Sequence, residues 1–311
     1  MLDPSEIYDV DPVVAAEVTA RAALGSGPVL VHALQGFVDA GAAGRKAAEH
    51  LTENLTTARL ATFDVDQLID YRSRRPTMTF DSSAWTEYDE PSLAVDLVRD
   101  VEGASFLLLH GSEPDVQWER FTAAVRQIVE RFDVPLTVGV HGIPMGVPHT
   151  RPLSATAHAT RPELVADYPS WFGTVQVPAS AAALLEMRLG ESGHDAMGFA
   201  VHVPHYLAQS AFPQASKVAL EHVERATGLD LRLAALAEAA DETTAEIERQ
   251  VSDSAEVAAV VQALEEQYDA FTRSAGRPGL LAETSQIPTA EELGAEFERF
   301  LAEHTEDGPS S

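Results

Sequence analysis

Short apolar runs alternate with segments of helical period from about residue 28 to residue 225. "GPVLVHAL" (27–34) reads as a buried first strand and "DAGAAGRKAAEHLTENL" (39–55) as the helix that follows it, with Asp39 as N-cap candidate. "ARLATFDV" (58–65) predicts a second strand, and "RRPTMTF" with "SSAWTEYDEP" (74–91) an irregular or hairpin excursion. "ASFLLLHG" (104–111) predicts a strand. "EPDVQWERFTAAVRQIVERF" (113–132) predicts a helix with Pro114 in its first turn, and Glu113 and Asp115 complementing its positive end. "VPLTVGVHG" (134–142) is a further buried strand. "HGIPMGVPHTRP" (141–152) is too dense in proline and glycine for a helix or central strand and predicts a rigid loop.

"SATAHAT" (154–160) and "GTVQVPAS" (173–180) predict short strands, and "AAALLEMRLGESG" (181–193) a helix. "DAMGFAVHVPHYL" (195–207) reads as a strand broken at Pro204, and "QASKVALEHVERATG" (214–228) as a helix closed by Gly228. After Gly228 the strands stop. Residues 231–274 read as two helices, 276–288 as a linker, and Thr289 with Glu292 as a capping-box start for a helix over 290–304. This pattern predicts an α/β core over 1–228, with a mostly parallel sheet covered by helices on both faces. It also predicts a helical extension over 229–304, packed on or beside the core, and a disordered tail over 305–311.

Composition narrows the function classes. The 311 residues carry 21 Lys and Arg against 49 Asp and Glu, a formal charge of −28. Such a surface repels phosphate backbones, so neither nucleic acid nor an anionic membrane is expected as a partner. There is no cysteine, which removes disulfides, thiolate catalysis and zinc–cysteine sites. No run of about 18 apolar residues marks a membrane span, and the acidic "MLDPSEIYDVDP" does not read as a signal peptide. A cytoplasmic protein is expected.

The chemically unusual residues fall where strands end. In open parallel sheets ligands gather outside the carboxyl ends of the strands. "LQGFVDAG", "HGSEPD", "HGIPMGVPHTRP" and "VHVPHY" all sit there, and would bring Gly36, Asp39, Gly41, His110, Glu113, His141, His149, Arg151, His202 and His205 to one edge. No complete catalytic motif accompanies them. Gly36 and Gly41 have phosphate-loop spacing, but Ala42 and Ala43 stand where Lys and Ser or Thr belong. Close helix packing explains those glycines as well. There is no G-x-S-x-G elbow and no H-E-x-x-H helix, so neither a metal nor a cofactor is expected. Arg151 with His149 suits a two-pronged contact to an anion; a structural clamp on a carboxylate such as Asp39 or Glu113 is the alternative.

The ordered motifs "GFVDAG", "GSEPDVQW", "GIPMGVPHTRP" and "VPHYLAQSAFPQAS" resemble the proteasome assembly chaperone 2 family, in its uncharacterised bacterial branch with a helical extension. The resemblance spans about residues 28–225, with weaker likeness through "EEQYDAF" and "TAEELGAEFERFL". It implies an α/β fold of the phosphorylase/hydrolase-like type, assembled as oligomers. The family pattern falls on Gly36, Asp39, Ala40 and Gly41; on Glu113, Pro114 and Trp118; on Pro148, His149, Thr150 and Arg151; and on Pro204, His205 and Tyr206.

The resemblance also implies protein partners, proteasome-related ones among them. It further implies a chaperone- or scaffold-like homo-oligomer acting by protein contact, since the eukaryotic and archaeal members are not enzymes. Apart from the resemblance, a trimer is the preferred ring size. The hydrophobic–Tyr–any-residue tail through which some members dock is not matched by "EDGPSS". The alternative is a binder of, or enzyme acting on, a small anion, nucleoside or carboxylate at the carboxyl edge. A third reading makes the edge motifs the oligomer interface itself.

Overall fold

The computed structural model describes residues 2–23, 25, 27–36, 38–169 and 173–275. The strands are β1 (Tyr8–Val10), β2 (Leu30–Gln35), β3 (Thr56–Phe63), β4 (Met78–Asp81), β5 (Ala84–Tyr88), β6 (Leu93–Arg99), β7 (Ser105–Ser112), β8 (Thr137–Met145), β9 (Ala155–Ala159) and β10 (Ala196–Pro204). The helices are α1 (Pro12–Ala22), α2 (Ala43–Asn54), α3 (Trp118–Arg131), α4 (Ala181–Glu191), α5 (Pro213–Thr227), α6 (Ala234–Ser252) and α7 (Ala255–Ala275). Eight strands form one sheet in the order β1-β3-β6-β7-β2-β8-β10-β9, and β4 pairs only with β5.

The middle of the sheet, β7-β2-β8-β10, is parallel. Its flanks, β1-β3-β6 on one side and β9 on the other, join antiparallel. The inner strands are apolar on both faces because both faces are covered. On one face α2, α5 and α6 pack against Val31, Ala33, Val138, Val140, Phe199 and Val201. On the other, α1, α3 and α4 pack against Leu30, Leu34, Leu107 and Leu109. The fold is thus the α/β class expected, with helices on both faces and C-terminal helices beyond.

Several local expectations change. β1, α1 and β6 were not legible as elements. "GTVQVPAS" forms no strand; Val175 and Val177 are exposed and the segment pairs with nothing that would hold it in a sheet. The loop expected from His141 begins later, since β8 continues to Met145 in register with β10. Pro144 is tolerated there because β8 pairs with β2 only as far as Gly139, leaving one side of the strand without a ladder partner. The helix expected from Glu113 starts at Trp118, after Gln117 in the left-handed region (φ 58°), so Pro114 does not occupy its first turn. Gly228 closes α5 as expected. The expected linker, the capping box of Thr289 and Glu292, the helix over 290–304 and the tail lie outside the described residues.

Candidate functional site

The carboxyl edge is built in three linked pieces. At the β2/β7 end, Glu113 is buried and its Oε1 accepts the Ala181 N–H at 2.6 Å. Its charge therefore caps the start of α4 and not α3, the helix that follows it in sequence. Gly36 lies against this carboxylate: a Cβ built there would sit 2.1 Å from Glu113 Oε2, so any side chain would displace the carboxylate from its place over Ala181. Pro114 ends the turn, and its carbonyl accepts from Trp118 Nε1 at 2.6 Å. Arg74, from the loop before β4, donates to the Gln35 carbonyl at 3.1 Å and pairs with Asp115 at 2.9 Å. Sequence reading did not bring Arg74 to this edge.

In the middle, Asp39 holds two elements together. Its carboxylate accepts the backbone N–H groups of Gly44 (2.8 Å) and Arg45 (3.0 Å) at the start of α2, and that of Gly142 (3.1 Å) in β8. Burial raises its pKa, and the three N–H donors oppose that rise. The expected capping role is therefore present, extended across to a strand. Gly41 adopts φ 67°, and its backbone exchanges bonds with Ala208 and Phe212 at 2.9 and 2.8 Å. Its job is a left-handed turn and close packing.

At the β8/β10 end, His149 and Tyr206 meet. Tyr206 Oη lies 2.9 Å from the His149 backbone N and 2.7 Å from its Nδ1. Burial lowers the His149 pKa and raises that of Tyr206. His205 is exposed, its ring edge-on to Tyr206. Arg151 turns to α7, where Nε and Nη2 grip the Asp269 carboxylate at 2.9 and 2.8 Å and Nη1 meets Glu265 at 3.2 Å. It clamps a carboxylate, but neither Asp39 nor Glu113. Thr150 also bonds Glu265, and Tyr268 donates to the Pro152 carbonyl at 3.0 Å. The loop thus carries α7.

The other histidines sit elsewhere. His110 bonds Asp96 (2.8 Å) inside the sheet, where Arg59 also reaches that carboxylate. His202 is buried between Ser154 (3.0 Å) and Thr156 (2.8 Å). One rung of the sheet reads His32, Gly139, Gly198, His158 across β2, β8, β10 and β9. A Cβ at either glycine would strike an imidazole at 2.4 Å, so the glycines make room for the rings. His141 lies one rung further on the same face, and Glu186 from α4 bonds His158 at 2.8 Å. Burial brings His32, His141 and His202 down to about 4. The glycines inside "TVGVH" and "AMGFA" were the available signal for this cluster. Among the described residues no group of three or more His, Asp or Glu is placed to hold a metal ion. Among them, too, no helix is long and apolar enough to cross a membrane.

Known proteins agree with this architecture. A Mycobacterium tuberculosis protein of unknown function is 50% identical, with a TM-score of 0.83, over 86% of this chain and 90% of its own. A Corynebacterium glutamicum protein of unknown function is 38% identical, with a TM-score of 0.81, over 86% of this chain and 98% of its own. A Mycobacterium tuberculosis proteasome-assembly chaperone homologue shares the fold at 24% identity and a TM-score of 0.68, over 75% of this chain and 99% of its own. No curated protein matches. The PAC2 family model matches residues 33–251, and with the ordered edge motifs now placed on one fold, the chain belongs to the PAC2 family.

Proposed function

We propose that this protein works by protein–protein contact, as a chaperone- or scaffold-like homo-oligomer with proteasome-related partners. The observation that carries the reading is the β4–β5 hairpin. Every residue of both strands is exposed, including Met78 (48%), Phe80 (56%), Trp85 (65%) and Tyr88 (47%). Phe80 and Trp85 stack edge-on at 5.0 Å on this arm. A lone two-stranded hairpin is marginal in water, and clustered exposed aromatics mark contact surfaces. Family membership and the neighbouring proteasome-assembly chaperone homologue supply the class of partner.

The test is the mass of the full chain in solution, alone and with Phe80→Ala and Trp85→Ala combined. The native protein is expected as an oligomer, and the double variant as a species whose association is weaker by about a thousandfold, aromatic anchors being worth about 2 kcal/mol each. A monomeric native protein, or an unchanged double variant, would refute the reading.

A further inference from the structure

α7 buries only one side of its apolar stripe. Val261, Glu265 and Asp269 recur every four residues and face the body, where Val261 is buried and the two carboxylates meet Thr150 and Arg151. Val257, Val260, Leu264 and Phe271 recur at three-, four- and seven-residue steps and form the adjoining row. Leu264 is half-buried, but Val257 (43%), Val260 (50%) and Phe271 (44%) stand in solvent. Outside that row the helix presents Ala259, Ala263, Gln267 and Ala270, all exposed and none charged. Glu256 stands at the N-terminal end of this flank. In a chain with a net charge of −28, an apolar row with so neutral a flank is unusual ground.

Two features select what covers the row. A covering helix must offer apolar residues at matching spacing, and an acidic helix is tolerated only where few carboxylates face it. Residues 290–304 of this chain meet both conditions by sequence. Leu293, Phe297, Phe300 and Leu301 make one stripe, with Glu291, Glu292, Glu296, Glu298 and Glu303 off it. The reach suffices: extended, the linker over 276–288 spans about 40 Å, against about 30 Å for the length of α7. A tether this short also holds the segment at an effective concentration on the order of millimolar, far above that of a second copy in dilute solution.

We propose that residues 290–304 form a helix that docks its Leu293–Phe297–Phe300 stripe on the exposed row of α7, covering Val257, Val260 and Phe271 within the same chain. The helical extension then becomes a three-helix unit. This contact is independent of the protein-contact reading, which concerns the β4–β5 hairpin.

The chain has no cysteine, so a single spin label can be placed on the full-length protein. A nitroxide on Glu266→Cys, an exposed position of α7 off the row, is expected to weaken the amide resonances of residues 290–304 by more than about twofold. Val260→Asp puts a carboxylate into the row at a half-exposed position that the fold itself tolerates, and is expected to restore those resonances. Val260→Leu is expected to keep them weak. With the nitroxide and the nitrogen-15 label on separate, mixed chains the resonances should stay at full height. Full-height resonances in the singly labelled chain overturn the proposal. So does weakening that Val260→Asp leaves unchanged, which would be the tether alone, or equal weakening across mixed chains, which would make a second copy the occupant.

Discussion

Two hairpins leave the sheet, one helical and one stranded, and they treat their apolar side chains in opposite ways. α6 returns Leu236, Ala240 and Ile247 to the protein interior, and α7 is then tied to the β8–β9 loop through Arg151, Thr150 and Tyr268. The β4–β5 hairpin returns nothing and leaves Phe80 and Trp85 in solvent. The lesson concerns what fixes an appendage. Apolar burial decides whether a segment belongs to the fold, and the polar contacts then decide its orientation. On the proposed reading, the stranded hairpin completes its burial on another chain.

Acid gives the largest effect, because it strikes the core from which both hairpins hang. His32 and His202 are buried neutral, with pKa values near 4 against about 6.5 for an exposed imidazole. Between those values the unfolded chain binds protons that the folded chain refuses. Stability therefore falls as pH drops from about 6.5 toward 4, by at most about 3 kcal/mol for each ring, and levels off below. His141 adds a contribution of the same sign. Urea unfolding at a series of pH values should show the midpoint dropping steadily across this window. A flat profile would mean that the rings are not buried neutral. Amide exchange that quickens in α7 but not in β8 and β10 would mean that acid attacks the appendage before the core.

Truncating one anchor of the helical hairpin comes next. Leu236→Ala removes a side chain 7% exposed in the cluster shared by β2, β8 and β10, and should cost about 3 kcal/mol in denaturant titrations. Phe80→Ala with Trp85→Ala, measured at a dilution where the chain is a monomer, should change stability by less than about 0.5 kcal/mol. Equal losses from the two variants would erase the distinction between a hairpin that belongs to the fold and one that waits for a partner.

Much of this arrangement was legible because it is local. Periodicity marks α6 and α7, and the breaker-rich stretch around Pro76 and Ser82 marks the stranded hairpin as an excursion. What sequence reading missed depends on distant partners. β6 was lost because Asp96 interrupts "LAVDLVR"; the carboxylate is buried there only because Arg59 and His110 reach it from neighbouring strands. "GTVQVPAS" has the alternation of a strand but no neighbour to pair with. At the candidate edge, residue types were readable and partners were not. Glu113 reads as the cap of the helix beside it, yet it serves α4, which begins 68 residues later. Arg151 reads as an anion hook, yet its partner is Asp269, 118 residues away. Spacing along a chain carries no record of such contacts.

Arg151 supplies the smallest and most selective prediction. Its side chain is 30% exposed and that of Asp269 45%, so the pair is well hydrated despite its two-pronged geometry. Asp269 is held below the ordinary carboxylate range by Arg151, a direction consistent with a contact that favours the ionised form. Exposed pairs of this kind are worth about 1 kcal/mol or less and weaken with salt. Arg151→Ala should therefore leave global unfolding nearly unchanged while quickening amide exchange in the part of α7 around Asp269. Concentrated salt should produce a milder version of the same change in the native protein. Arg151→Lys should rescue little, because an ammonium group cannot hold both oxygens of Asp269 in parallel. If α7 stays equally protected in Arg151→Ala, then its contacts with α6 already fix it, and apolar packing governs the helical hairpin throughout its length.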